Sequence, residues 1–198
     1  MERREQAPGW RSALVAFPLT FLFACQAEPP PSPPCHARCV DGIALRSLRE
    51  TMKLVYNITL QGKPVGAQDE TTPCPLGGSA RVFGTATSNP VQGATEVELT
   101  YELSNCAYLE LDDEPDETYD MTLDGTVTQS GTLAVQPTAT TALLMRSDSV
   151  TLDGSVYDPP RDFHEENCVV DVAQSGNDLS GTFCGREAGV DLGGQPNN

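Results

Sequence analysis

The densest group of potential ligands lies at 110–120. There Glu110, Asp112, Asp113, Glu114, Asp116, Glu117 and Asp120 place seven carboxylates within eleven residues. Hard oxygen donors of this kind hold Ca2+, and Asp112, Asp113, Asp116, Glu117 and Asp120 are the candidate set. The run lacks the ordered spacing of an EF-hand loop, and Pro115 interrupts it. A solvated acidic loop is the better reading, and no metal is expected. The two histidines, His36 and His164, lie in polar segments and read as surface residues. A Ser-His-Asp centre needs a histidine beside a nucleophile. The chain has no G-x-S-x-G, H-E-x-x-H, Walker A or G-x-G-x-x-G pattern. No catalytic residue and no cofactor are expected, so the chain reads as non-enzymatic.

Seven cysteines carry the remaining chemistry: Cys25, Cys35, Cys39, Cys74, Cys106, Cys168 and Cys184. The odd count needs one of them set apart. The other six would then form three disulfides, as oxidising compartments allow. Cys168 and Cys184 bracket two strand-like runs around Ser175-Gly176-Asn177, so a hairpin centred at Gly176 sets them opposite each other. Cys74 and Cys106 bracket another pair of runs, leaving Cys35 and Cys39 for each other or for exchange with the rest. Cys106 shares the parity of the polar positions of its strand. A bulge at Asn105, or an earlier strand end, is needed to turn it inward. Zinc ligation is disfavoured by the lack of a C-x-x-C pair.

The first 24 residues have the parts of an export signal. Arg3, Arg4 and Arg11 precede an apolar stretch from Ala13 to Ala24. The end of that stretch, Leu22-Phe23-Ala24-Cys25, resembles the lipobox of bacterial lipoproteins. The resemblance implies cleavage after Ala24 and a diacylglycerol on Cys25, a covalent lipid rather than a cofactor. The alternative is an ordinary secretion signal cut near Ala27. Gln26, where enteric lipoproteins retained at the inner membrane have Asp, implies an outer-membrane lipoprotein of the cell envelope.

The chain has 198 residues, 12 Lys plus Arg and 28 Asp plus Glu, for a net charge of -16. Removing residues 1–24 takes away three Arg and two Glu and leaves a net charge of -17. That balance excludes a nucleic-acid partner, because phosphate binding needs clustered cations. It also excludes a polybasic grip on lipid, so the membrane partner would be reached through the lipid anchor.

Residues 25–34 contain five prolines and read as an extended tether of ~28 Å. The domain is expected over 35–184. It would begin with a helix over 41–59, capped by Asp41. Ala44, Leu48, Met52 and Val55 would form one apolar face, with Arg46, Arg49, Glu50 and Lys53 elsewhere. Strand patterns follow near 79–87, 94–103, 119–128, 132–136, 140–146, 149–157, 167–174 and 178–184. Turns are expected at Ser88-Asn89-Pro90, Ser130-Gly131, Ser147-Asp148 and Ser175-Gly176-Asn177. Leu123-Asp124-Gly125-Thr126-Val127 recurs as Leu152-Asp153-Gly154-Ser155-Val156 and as Leu179-Ser180-Gly181-Thr182-Phe183, with Gly84 in a degenerate copy. Glycines inside strands permit bends. The expected fold is therefore mainly β, a single curved antiparallel sheet of about 7–8 strands with one N-terminal helix packed on it. The tail 185–198 reads as disordered.

The framework Cys74-Pro75-Leu76-Gly77-Gly78 followed by Asn105-Cys106 resembles small envelope lipoproteins of myxobacteria-like Gram-negatives, which have no assigned activity. A helix beside a curved sheet is similar to the half-barrel of bacterial lipoprotein carriers. That similarity implies a binding or carrier module for an apolar small ligand. The rivals are a structural or cell-surface protein that meets an envelope partner, and an envelope enzyme. A void between helix and sheet favours the first, and tight packing without one favours the second. For the anchor, Cys25→Ser is expected to move the protein from the membrane to the soluble fraction. Unchanged partitioning would sink the lipid assignment.

Overall fold

A computed structural model describes residues 37–89, 94–110, 119–134, 141–157 and 160–193. One helix precedes eight strands: α1 (Ala37–Leu60), β1 (Gly66–Pro73), β2 (Gly77–Asn89), β3 (Ala94–Glu110), β4 (Tyr119–Ala134), β5 (Ala142–Tyr157), β6 (Pro160–Ser175), β7 (Asp178–Phe183) and β8 (Arg186–Asp191). The strands form a single antiparallel sheet in chain order, each paired with the next, and β1 does not pair with β8. The expected architecture is the one observed.

The sheet curls around the helix. Both edge strands, β8 and β1, lie against α1, as do parts of β2 and β4. The core is the set of inward residues on alternate strand positions, among them Val82, Leu99, Tyr101, Leu123, Met145, Leu152, Val172 and Phe183, packed on Ile43, Leu48, Met52 and Val55. Fully burying one such side chain contributes about 1.5–3 kcal/mol. Because the sheet reaches the helix from two sides, α1 is buried on more than the single face expected. Leu45, Ser47, Arg49 and Thr51 are buried too. Two of the buried hydroxyls bond inside the helix, Ser47 Oγ to the Ala44 carbonyl at 2.7 Å and Thr59 Oγ1 to that of Val55 at 2.5 Å, while Thr51 Oγ1 has no partner.

The helix begins four residues before Asp41. Asp41 therefore does not cap it. Its carboxylate accepts instead from the Arg186 guanidinium at 2.8 Å, which also bonds Glu165 at 2.6 Å and ties α1 to β8 and β6. At the other end Gly62, at φ 80, turns the chain out, and the Lys63 N–H bonds back to the Leu60 carbonyl at 3.0 Å.

Several boundaries differ from the sequence reading. Ser130-Gly131 is not a turn; β4 runs through it, with Gly131 bent at a glycine-favoured φ of 119. Ser147-Asp148 is not a turn either. It is an irregularity inside β5, where the pairing with β6 shifts between Ser147 and Val150. A local bond from the Ser149 N–H to Ser147 Oγ (3.2 Å) stands in there for ladder bonding. β1 has only two apolar side chains, on Ala67 and Pro73, and no buried residue, so no apolar alternation marks it. The segment after Cys184 is not disordered throughout: 186–191 pair with β7 as β8. Gly125 and Gly154 lie inside strands, opposite Val150 and Met121, and are not hairpin turns.

Two disulfides are formed, Cys74–Cys106 and Cys168–Cys184, with Cα separations of 5.3 and 4.3 Å. Cys25, Cys35 and Cys39 lie outside the described residues. The β3–β4 register shifts between Leu103 and Cys106, and Asn105 sits in the left-handed region at φ 47. This is the bulge that Cys106 needs to turn inward. Gly78 lies hard against it: a Cβ there would come within 1.9 Å of the Asn105 carbonyl oxygen. The Gly-Gly and Asn-Cys parts of the framework are thus two sides of one contact. The same device recurs at Asn167-Cys168, where Asn167 has φ 54 and Cys168 is buried. The β6–β7 hairpin centres between Gly176 and Asn177, so Cys184 falls opposite Val169, one residue from the expected partner position.

Gly84 exposes the constraint on the curl. It sits at φ 134 on the inner face, and a Cβ would meet the Glu98 carbonyl oxygen at 2.0 Å. Gly66, at φ 126, has open space around it. Gly66→Ala is expected to lose ~1–2 kcal/mol from backbone strain. Gly84→Ala adds a collision with backbone to the same strain and is expected to lose ~3–5 kcal/mol. Urea unfolding of both variants checks this, and equal losses would refute the close approach.

Candidate functional site

Both halves of α1 are buried on the sheet, Ile43 and Leu48 in the first and Met52 and Val55 in the second, but a gap remains beside the C-terminal half. A pocket of about 340 Å3 opens there between the helix and the inner face. Met52, Tyr56 and Leu60 of α1, Ala86 of β2, Thr95 of β3, Gln129 and Leu133 of β4, Thr141 and Leu192 line it. The volume falls within the range of small-molecule sites, which combine an apolar body with a few placed polar groups.

Arg49 supplies the strongest of those groups. It is 4% exposed and lines the pocket. Its Nε donates to Gln174 Oε1 at 2.6 Å, and Gln174 is held in turn by its own bond to the Gly176 carbonyl at 2.8 Å. Arg49 Nη1 is buried and has no hydrogen-bond partner, and no carboxylate pairs with the guanidinium among the described residues. Burial pulls the Arg49 pKa down, and the nearby charge of Glu50 partly offsets this. A guanidinium starts so high that it stays charged at neutral pH all the same. A buried charge without a counter-ion is costly. Thr141, 2% exposed, also lines the pocket and leaves its Oγ1 unpartnered. Beneath them the Tyr101 hydroxyl donates to Gln129 Oε1 at 2.7 Å, and burial pushes that hydroxyl's pKa up, keeping it neutral.

The charge around the pocket runs against that of the chain. The sequence has only two lysines, Lys53 and Lys63, and both line this pocket. Each is about half exposed and paired at the surface, Lys53 with Glu50 at 2.9 Å and Lys63 with Glu70. Glu50 is the one carboxylate among the lining residues.

A second, more open depression of about 570 Å3 lies on the outer face, lined by Tyr108, Asp120, Thr122, Asp153, Ser155, Asp162 and His164 among others. Its groups satisfy one another. The Ser155 N–H bonds Asp120 Oδ1 at 2.8 Å, and Ser155 Oγ donates to Asp162 at 2.6 Å. His164 lies between Asp153, at Nδ1, and Glu166, 3.0 Å from Nε2. Asp153 first, and then Glu166, hold the imidazole pKa above its usual value. The pairing thus contributes below the ordinary histidine range and fades as pH rises through the raised value. All three side chains are more than half exposed, so solvent screens them. The Ser155 hydroxyl is turned to Asp162, and no nucleophile–His–Asp chain is assembled among the described residues. The smaller pocket is the better site, because its polar groups are buried and unsatisfied while those of the larger one are paired.

Of the calcium candidates, Asp112, Asp113, Asp116 and Glu117 lie outside the described residues. Asp120 is in β4 with its carboxylate on the Ser155 N–H. No cluster able to hold a metal ion is present among the described residues, and none of their helices is long and apolar enough to cross a membrane. Sequence reasoning placed Arg49 off the apolar face. The available signal was its neighbours: Leu45, Leu48, Met52 and Thr51 surround it on a helix wrapped from two sides.

Replacing Arg49 with Met removes a desolvated charge, a cost of several kcal/mol, and orphans the Gln174 oxygen, a loss of about 1–3 kcal/mol. The first effect is larger. Arg49→Met is expected to raise the melting temperature by about 2–4 °C, read by circular dichroism. A fall of that size would make Arg49 a structural tie instead.

No family model, no curated protein and no solved structure matches the chain.

Proposed function

We propose that this chain is a lipid-anchored binding module of the cell envelope, non-enzymatic, holding a small molecule between its helix and its sheet. The observation that carries the reading is the 340 Å3 pocket at the C-terminal half of α1, lined by buried and unsatisfied Arg49 and Thr141. A scaffold protein gains nothing from a void lined by unpaired polar groups, since filling it with apolar side chains would add stability. A binding protein needs such a void. The anchor part rests on Leu22-Phe23-Ala24-Cys25 and on the odd cysteine count. Two formed disulfides fit an oxidising compartment. The Pro-rich run 26–34 would hold the pocket clear of the bilayer surface.

A small neutral fluorophore with environment-sensitive emission, 1-naphthol, tests the pocket. Saturable binding at one site is expected, with a blue-shifted emission. Leu133→Trp places a bulky ring on the rim and is expected to weaken the dye at least tenfold. Absence of dye binding by the folded protein would return the chain to the structural or interaction reading.

A further inference from the structure

We propose that the pocket beneath α1 takes a small molecule bearing a carboxylate on a compact apolar body, with the Arg49 guanidinium and the Thr141 hydroxyl as its recognition groups. The proposal rests on the binding-module reading and adds the chemistry of the ligand.

Three observations converge on it. First, Arg49 is buried, charged and unpaired at Nη1. The group that completes a guanidinium is a planar oxyanion, which takes two parallel N–H bonds and neutralises the charge. Its remaining partner, Gln174, is held on the Gly176 carbonyl, so the guanidinium is oriented before any ligand arrives. Preorganisation of this kind lowers the cost of binding. Second, Thr141 Oγ1 is likewise buried and without a partner, and it lines the same pocket. A hydroxyl can donate to the same oxyanion or accept from a group beside it. Third, in a chain of net charge -16, both lysines stand at this pocket. Paired with Glu50 and Glu70, they offset the acidic charge at the mouth and leave Arg49 as the unneutralised charge, where the rest of the surface repels anions. Met52, Leu60, Ala86 and Leu133 supply the apolar wall. At roughly 30 Å3 per non-hydrogen atom, the volume suits a ligand of on the order of ten such atoms.

Isothermal titration of the full chain carrying Cys25→Ser, purified from the soluble fraction, tests this with decanoate, a carboxylate of about that size, and with decanol as its neutral counterpart. Decanoate is expected to bind one-to-one and at least tenfold more tightly than decanol. Arg49→Met should erase that preference by weakening decanoate at least tenfold. Thr141→Val removes a hydroxyl with no partner to lose in the fold. It is expected to weaken decanoate about threefold, and it decides the matter if Arg49→Met does not fold. Equal affinity for both probes, insensitive to either variant, overturns the carboxylate proposal while leaving the pocket as a binding site. Binding of neither probe by the folded protein overturns the binding-module reading itself.

Discussion

An open antiparallel sheet has two unpaired edges, and here one helix has to meet both. Every other feature of the domain depends on that contact. Eight strands in simple sequential order twist, but twist alone does not bring β1 and β8 to the same helix. The curl comes from the inner face. Gly84, Gly125, Gly131 and Gly181 all point where a side chain would press against the neighbouring strand, and removing those side chains lets the strands bend inward. The two asparagine bulges then turn Cys106 and Cys168 to the inside, where the two disulfides form.

The pocket follows from the mismatch between a straight helix and this curved wall. Where Ile43, Leu45 and Leu48 meet the sheet the fit is tight. Farther along, the side chains from Met52 to Leu60 leave a gap between helix and wall. Arg49 stands at that boundary. Its Nε is held on Gln174, and the side chain lines the space. A folded chain that retains an unneutralised guanidinium there accepts a loss of stability. That is the usual signature of a position held for a purpose other than folding.

The β content and single-sheet architecture were legible because the strong strands alternate cleanly, as Glu96 to Leu103 do. The strand glycines were legible because the Leu-Asp-Gly pattern repeats. β1 and β8 were not, because edge strands bury almost nothing and so need no pattern. Ser130-Gly131 and Ser147-Asp148 read as turns because bends, bulges and hairpins draw on the same small polar residues; pairing partners, not local chemistry, tell them apart. Two disulfides could be read from the spacing of their strands. Arg49 could not, because its burial rests on contacts far apart in the chain, such as the bond to Gln174, 125 positions away.

The placement of the two lysines has a practical consequence. Lys53 and Lys63 are the only side-chain primary amines of the chain, and both stand, substantially exposed, at the mouth of the pocket. An acylating reagent, a reductive alkylation or a fluorophore ester directed at amines therefore has its side-chain targets at this one opening. The protein comes ready for site-directed labelling without an engineered handle. The rate at which each lysine reacts becomes a direct reading of whether the opening is occupied.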